Sequence, residues 1–168
     1  LSPLSLASSD LEGFPFMAPW KMASDSILSH GHWEGPDLSW RVLVGDAAKL
    51  IEEVDGQFDL IFFDPFSPES NPTLWSIGFL RAIRSRTRHQ GGLLATYSAA
   101  TPTRVSMLAA GFFVGHGAST GTRQETTVAS TKIDLLSAPL GERWLARWQR
   151  SSARARHGEA LSPELEAR

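Results

Sequence analysis

The feature that most constrains this chain is the segment Phe58–Phe63, an almost continuous apolar run followed at once by Asp64. A short apolar run of this length is typical of a strand that is buried on both faces. The prolines at 65 and 68 cannot continue a paired strand, so the strand is expected to end at Asp64. A strand of this kind predicts a largely parallel sheet that is covered by helices.

Further strands and helices alternate along the chain on both sides of this segment. Apolar residues at helical or strand spacing, with glycines and prolines between them, mark each element. The last two strands are joined by a Gly-rich loop, which predicts an antiparallel C-terminal hairpin. The predicted strands are Trp40–Val44, Leu93–Tyr97, Phe112–Val114 and Thr126–Ala129, and the predicted helices are Trp20–Ser29, Ala47–Val54, Leu74–Arg88, Pro102–Ala110 and Glu142–Gln149.

The composition excludes several classes of function. The chain has 168 residues and no cysteine, which excludes disulfides and thiolate catalysis. Its formal net charge is −2, so any contact with nucleic acid must come from a local basic patch. No apolar run approaches the length that crosses a bilayer. The segment Leu1–Ser9 has neither a basic start nor an initiator Met, and we expect it to be neither a secretory signal nor a natural N-terminus.

The residues after the apolar strand carry the strongest chemical signal. Open α/β sheets bind ligands beyond the carboxyl ends of their strands, where Asp64, Pro65 and Phe66 are expected to lie. A carboxylate at this place can accept a hydrogen bond from a substrate amine, and an aromatic ring can stack on a base. The alternative, about equally weighted, is that Asp64 only caps nearby backbone amides.

A second acidic motif, Gly45-Asp46-Ala47, follows the preceding predicted strand in the same way. Asp46 could accept a hydrogen bond from an adenine amino group, and the small Ala47 leaves space beside the ring. Asp is also a favoured helix N-cap, and for the motif alone that interpretation is preferred.

Three other polar or aromatic residues are candidates for a substrate pocket. Asn71 and Trp75 follow the Asp64 motif, and Tyr97 ends the next strand at the same predicted edge. The alternative for Trp75 is a place in the core of its helix. The alternative for Tyr97 is a strand-end aromatic with its hydroxyl in water.

The remaining motifs favour structural interpretations. The loop from Gly115 to Gly121 lacks the spacing of a phosphate-binding fingerprint and predicts a mobile hairpin loop near the site. The five histidines show no cluster with metal-ligand spacing. The arginines at 81, 84, 86 and 88 predict a solvated basic helix end that is stabilised by the helix dipole.

With these motifs in place, the chain resembles the bacterial tRNA 5-methylaminomethyl-2-thiouridine methyltransferase family, the MnmC methyltransferase domain. The resemblance runs from about Trp33 to Ala129, and its segments occur in the family's order. They are Gly45-Asp46-Ala47, Phe58 to Pro68, Asn71-Pro72-x-Leu74-Trp75, Gly92 to Ser98, Ala110-Gly111-Phe112 and Gly121 to Glu125.

The resemblance implies methyl transfer from S-adenosylmethionine to the aminomethyl group of a tRNA wobble uridine, in the cytoplasm. It implies a class I, Rossmann-like α/β sheet. Its motifs assign catalytic roles to Asp64, Pro65 and Phe66, and cofactor contacts to Asp46, Ala47 and Asp64. The substrate contacts would come from Phe66, Asn71, Trp75, Tyr97 and Arg123, although Gln124 stands where the family has a cation.

Two family features are missing, namely the Gly-rich loop after the first strand and the acidic residue after the second. The segment Leu1–Ala7 resembles sequence just beyond that residue, so we expect an N-terminally truncated domain that lacks its first strands and has exposed sheet edges. Residues 1–141 would form the partial domain, and residues 142–168 a helical or disordered extension.

The resemblance leaves the partners and two rival functions open. Some family members carry a fused oxidoreductase domain, so a missing N-terminal segment or an oxidoreductase is a candidate partner, while no membrane partner is expected. One rival is a truncated, inactive methyltransferase fold that serves as a binding or assembly module. The weaker rival is a nicotinamide-dependent oxidoreductase, for which the chain lacks the fingerprint loop.

Overall fold

The computed structural model describes residues 18–121 and 125–150. The chain divides into two compact units, Leu1–Asp46 and Ala47–Arg168. Arg123, one of the candidate substrate residues, lies outside the described residues. No helix in the described part of the chain is long and apolar enough to cross a membrane.

The first unit contains one helix and one hairpin. Helix α1 (Ala18–His30) is followed by strands β1 (His32–Glu34) and β2 (Ser39–Arg41), which pair antiparallel with Trp33 opposite Trp40. The sequence predicted a strand over Trp40–Val44. The observed strand is shorter because, among the described residues, it pairs only with β1 in the hairpin, and Arg41 is the last residue of that pairing.

The second unit contains a four-stranded sheet with the order β3-β4-β6-β5. Strands β3 and β4 are parallel, and β6 runs antiparallel to both of its neighbours. The predicted α/β class and the predicted antiparallel C-terminal hairpin are therefore confirmed. The elements are α2 (Ala47–Glu53), β3 (Leu60–Phe62), a 3₁₀ helix (Pro72–Trp75), α3 (Ile77–Arg86), β4 (Leu93–Thr96), α4 (Thr101–Ala109), β5 (Phe113–Gly117), β6 (Thr126–Ser130), a 3₁₀ helix (Ile133–Leu135) and α5 (Glu142–Gln149).

Local sequence sets the limits of the helices around this sheet. The Ser76 side chain accepts a hydrogen bond from the Phe79 amide at 3.2 Å, so α3 begins after Ser76 and not at Leu74 as predicted. Proline in the first turn starts α4, where the missing amide hydrogen costs nothing. Gly111 ends the segment with φ at +96°, a backbone angle that favours glycine.

The hydrophobic core lies between the sheet and helices α3 and α4. Its fully buried members include Leu80, Leu94 and Met107, and Phe63 and Phe112 join the same cluster. Burial of one such side chain stabilises the fold by about 1.5–3 kcal/mol. The core therefore fixes β3 and β4, whose carboxyl ends carry the candidate site.

Strand β3 departs from one prediction and confirms another. The sequence predicted burial on both faces, but Leu60 is 49% exposed and Phe62 is 80% exposed. Within the described part of the chain, the strand pairs only with β4 and forms one edge of the four-stranded sheet, so no second strand from these residues covers it. The predicted exposure of a sheet edge is thus confirmed.

Candidate functional site

A cavity of about 140 Å³ lies at the carboxyl ends of β3 and β4. Because the two strands are parallel, both end at the same edge of the sheet, and the start of the antiparallel β6 lies there too. The cavity brings together two predicted site residues, Asp64 and Tyr97. The lining residues are Phe62, Phe63, Asp64, Ala95, Thr96, Tyr97, Thr120 and Thr126.

Asp64 is exposed at this cavity. No hydrogen bond or ion pair to its side chain is present among residues 18–121 and 125–150. A capping carboxylate would accept hydrogen bonds from nearby backbone amides, and within the described chain Asp64 does not. The geometry therefore favours an acceptor that faces the cavity over a loop cap.

Phe66 and Trp75 form a single local arrangement beside Asp64. The Phe66 ring is 79% exposed, and its carbonyl oxygen accepts a hydrogen bond from the Trp75 indole at 2.8 Å. Trp75 itself is 3% exposed and packs edge-to-face on Phe63 with ring centroids 5.0 Å apart. Trp75 therefore lies in the core, and its contact with the site runs through the Phe66 backbone.

Tyr97 is half exposed and lines the cavity directly after the end of β4. Two threonines that the sequence did not single out line it as well, Thr120 from the Gly-rich loop and Thr126 from the first position of β6. The Thr126 hydroxyl donates to the Ala118 carbonyl at 2.8 Å, which fixes the loop to the strand. Thr120 thus places the end of the predicted loop at the cavity, whereas its first residues, 115–117, belong to β5.

The other predicted residues lie apart from this cavity or in the other unit. Asn71 is half buried, begins the Pro72–Trp75 3₁₀ helix and donates its backbone amide to the Ser67 carbonyl at 2.9 Å. Ala47 is exposed at the start of α2. Asp46 is an exposed residue of the first unit.

A buried arginine, which the sequence analysis missed, organises the sheet edge beside the cavity. Arg104 on α4 is 3% exposed and donates to the Thr127 hydroxyl at 3.0 Å and to the Thr126 carbonyl at 3.1 Å. Its guanidinium also forms an ion pair with Glu125 at 2.9 Å, and Glu125 contacts the His116 ring.

This cluster perturbs the carboxyl group at its centre. The hydrogen bond from Arg104 lowers the pKa of Glu125 most, burial of the carboxyl group opposes this shift, and the hydrogen bond with His116 lowers the pKa further. No sequence pattern separates Arg104 from an ordinary helix-surface arginine. The role of Arg104 is visible only in the structure, where the position of β6 brings Thr126 and Thr127 within hydrogen-bond distance of its guanidinium.

The basic residues on α3 and just after it are engaged within the fold. Arg81 donates to the Ala109 carbonyl at 3.4 Å, and Arg84 to the Gly111 carbonyl at 3.3 Å. Arg86 donates to the Glu52 carbonyl at 3.0 Å, and Arg88 is paired with Asp59. In the described part of the chain, no group of three or more His, Cys, Asp or Glu side chains could hold a metal ion.

Comparison with known proteins gives a family-level result. A family model described as S-adenosyl-L-methionine-dependent methyltransferase matches residues 20–132. An uncharacterized protein of Methanocaldococcus jannaschii is 37% identical over 86 residues, which are 51% of this chain and 24% of that protein.

Two further similarities cover the same region. The tRNA 5-methylaminomethyl-2-thiouridine biosynthesis bifunctional protein MnmC of Ralstonia nicotianae is 35% identical over 89 residues, which are 53% of this chain and 13% of that protein. The crystal structure of MnmC2 from Aquifex aeolicus matches with a TM-score of 0.65 and 34% identity, covering 89% of this chain and 48% of that one. The chain thus spans a quarter or less of these two curated relatives and about half of the solved structure.

Proposed function

This chain belongs to the S-adenosyl-L-methionine-dependent methyltransferase family, and we propose that it transfers a methyl group to the aminomethyl nitrogen of a tRNA wobble uridine. The observation that carries the proposal is the Asp64 carboxylate, which is exposed at the cavity without a hydrogen bond from the described residues. The name of the Ralstonia relative supports the choice of substrate. The family match favours this function over the nicotinamide-dependent alternative.

The residues at the cavity fit a methyl donor and a planar acceptor. The exposed rings of Phe62 and Phe66 offer apolar surface for stacking, and the Asp64 oxygens offer acceptors for an amine. A cavity of about 140 Å³ suits the reacting groups and not a whole cofactor. From the family motif we propose that Asp46 and Ala47 contact the adenine.

Asp64 has two tasks in this mechanism. When bound, S-adenosyl-L-methionine supplies a methyl group on a sulfonium, a strong electrophile that needs no acid catalyst. The Asp64 carboxylate accepts a hydrogen bond from one N–H of the substrate amine and so directs the nitrogen lone pair. It also accepts the proton that the nitrogen loses once it carries the methyl group. Orientation of this kind can contribute up to about 7–11 kcal/mol.

The other residues act on the position of the substrate. We propose that Phe66 stacks on the uracil ring and that Pro65 limits the backbone freedom between carboxylate and ring. Trp75 holds the Phe66 carbonyl and is a positioning residue in this scheme. Tyr97 forms the opposite wall, and Asn71 and Arg123 are proposed as substrate contacts on the family motif alone.

Methyl transfer can be measured directly on the RNA. The substrate is an anticodon stem-loop with 5-aminomethyl-2-thiouridine at the wobble position, incubated with S-adenosylmethionine that carries a labelled methyl group. The matched control is the same stem-loop with 2-thiouridine, which lacks the amine. We expect label on the aminomethyl RNA alone. Equal labelling of both RNAs, or of neither, would contradict the proposal.

The proposal includes a partner activity. The Ralstonia relative is named a bifunctional protein, and the family resemblance implies an oxidoreductase beside the methyltransferase. We propose that such an activity, on the same or a separate chain, supplies the free amine on which this chain acts. The arrangement would be supported if an RNA with a substituted aminomethyl group is converted only when the oxidoreductase activity is added. Conversion in the absence of that activity would contradict the arrangement.

A further inference from the structure

A basic groove lies between strand β5 and helix α5, and the proposed reaction does not use it. It has a volume of about 570 Å³, and its lining includes His116 from β5 together with Arg143, Arg147 and Arg150 from α5. The three arginines are four and three residues apart, so they share one face of the helix. All three are exposed.

The three groove arginines differ from the arginines on and just after α3. The side chains of that second group donate to backbone carbonyls or pair with Asp59. No ion pair or hydrogen bond involves the Arg143, Arg147 or Arg150 side chain in the described ranges. Among the described residues that line the groove, the one acidic residue is Glu142 at the start of α5, and Glu125 contacts the His116 ring beside it. Three arginines against one glutamate leave a local positive surface on a chain whose net charge is −2.

Helix α5 is fixed firmly beside the sheet. The Leu140 amide donates to the Val114 carbonyl at 2.8 Å, and the His116 amide donates to the Ala138 carbonyl at 2.8 Å. On the helix itself, Trp144 is buried and lines the same groove. The approach to β5 is so close that a side chain at Gly115 would meet the Ala138 carbonyl oxygen at 2.7 Å. The arginine row is therefore held in place relative to the strand.

The groove opens at the same edge of the sheet as the Asp64 cavity. His116 is aligned with Thr127 of β6, and Thr127 is aligned with Thr96 of β4, which lines the cavity. Neighbouring strands are about 4.8 Å apart, so two spacings place His116 roughly 10 Å from Thr96. A nucleotide held at the cavity would have its neighbours along the strand within reach of the groove.

We propose that the groove formed by His116, Arg143, Arg147 and Arg150 binds the RNA phosphates next to the target nucleotide. This inference rests on the proposed function, which makes an RNA the substrate. Guanidinium groups form paired hydrogen bonds to phosphate oxygens, and the three exposed arginines have no bond to another described side chain or carbonyl that would have to break. The surface fixes the position of the RNA, and it does not read the base.

The test compares two charge-matched double variants of the full chain. One is Arg143→Gln with Arg147→Gln. The control is Arg86→Gln with Lys132→Gln, which removes the same amount of positive charge. Both residues lie at the opposite edge of the sheet, Arg86 at the end of α3 and Lys132 two residues after the end of β6. Binding of a fluorescent anticodon stem-loop is followed by anisotropy over a range of potassium chloride concentrations, and thermal unfolding verifies that both variants are folded.

We expect the groove variant to bind the stem-loop about tenfold more weakly at low salt, with a salt slope smaller by about one per lost phosphate contact. The control should keep the affinity and slope of the wild type. Equal losses in both variants, or no loss in the groove variant, would overturn the proposal. Displacement of the labelled RNA by an acidic peptide with the same efficiency as by unlabelled stem-loop would also overturn the proposal, because it would indicate that the groove binds a protein partner.

The two proposals fail in different ways. If the protein does not transfer the methyl group but its binding to the stem-loop still depends on the groove arginines, the proposed reaction is overturned and the proposed RNA surface is retained. Normal methyl transfer by the groove variant, with unchanged KM for the RNA, would overturn the surface and leave the reaction standing.

Discussion

Two carboxylates lie at the same edge of the sheet and have opposite environments. Asp64 follows β3, faces the cavity and makes no side-chain hydrogen bond within the described chain. Glu125 precedes β6 and is held by Arg104 and His116. The first is available to a substrate, whereas the second is already occupied by partners that the fold provides.

This difference shows how a single sheet edge can combine an open carboxylate with a rigid support. The Arg104 cluster fixes the start of β6, whose Thr126 lines the cavity. A cluster with satisfied hydrogen bonds is rigid, because each loss leaves a buried polar group without a partner. The open carboxylate can then be positioned without bonds of its own to the protein.

The largest effect should come from Asp64→Asn, which keeps the shape of the side chain and removes its charge. Loss of an oriented proton acceptor should lower the rate of methyl transfer about 10²–10⁴-fold. The free energy of unfolding should change by no more than about 0.5 kcal/mol, because the side chain makes no bond within the described fold. Single-turnover kinetics and urea unfolding measure the two quantities. A large loss of stability would mean that Asp64 is structural, like Glu125.

In contrast to Asp64→Asn, the variant Arg104→Leu should mainly lower the stability of the fold. It leaves the Thr126 carbonyl and the Thr127 hydroxyl without their buried donor, at a cost of about 2–4 kcal/mol in unfolding free energy. Thermal unfolding should shift by about 2–4 °C for each kcal/mol. Arg86→Leu is the control, since that arginine also donates to a carbonyl but is only half buried, and its hydrogen bond is exposed. Equal destabilisation by both variants would refute a special role for Arg104.

A smaller effect is expected from Trp75→Phe, which tests how the fold supports the open carboxylate. The phenylalanine keeps an aromatic ring against Phe63 but cannot donate to the Phe66 carbonyl. The lost hydrogen bond should cost about 1 kcal/mol of stability. The rate of methyl transfer should fall while the Kd for S-adenosylmethionine is unchanged. A normal rate in the variant would argue against a positioning role.

The smallest effect concerns the pH dependence of the occupied carboxylate. The pKa of Glu125 is lowered from its ordinary value of 4.5, first by the hydrogen bond from Arg104. Its contribution to stability is therefore fully present above pH 4.5 and is lost as the pH falls through the lowered pKa. Because Glu125 is about half exposed, we expect the effect to stay below about 1 kcal/mol. Urea unfolding of Glu125→Gln and wild type across this range should converge in acid, and a constant difference would contradict the assignment.

The sequence predicted the elements of the second unit well. Alternating apolar segments and glycines indicated the α/β class and the antiparallel hairpin, and the end of β3 indicated where the site lies. The Ala47 start of α2 and the limits of α5 agree with the prediction. These features depend on local pattern, which sequence carries directly.

Features that depend on neighbours could not be predicted in this way. The exposure of Phe62 follows from the absence of a second strand beside β3 among the described residues. The roles of Arg104 and Thr126 follow from the register of β6 under α4, and nothing in the residues around them signals that register. The positions of Asp46 and Arg123 in the site stay predictions from the family motif.

Chemical labelling of carboxylates tests the central claim most directly, because it measures Asp64 and Glu125 in the same sample. The protein is treated with a water-soluble carbodiimide and an amine, with and without S-adenosylhomocysteine and the aminomethyl stem-loop, and each site is read by mass spectrometry. We predict that Asp64 is labelled faster than Glu125 in the free protein and is protected when both ligands are present, while Glu125 changes little. Asp64 that resists labelling in the free protein, or that is labelled equally with and without the ligands, would contradict the account.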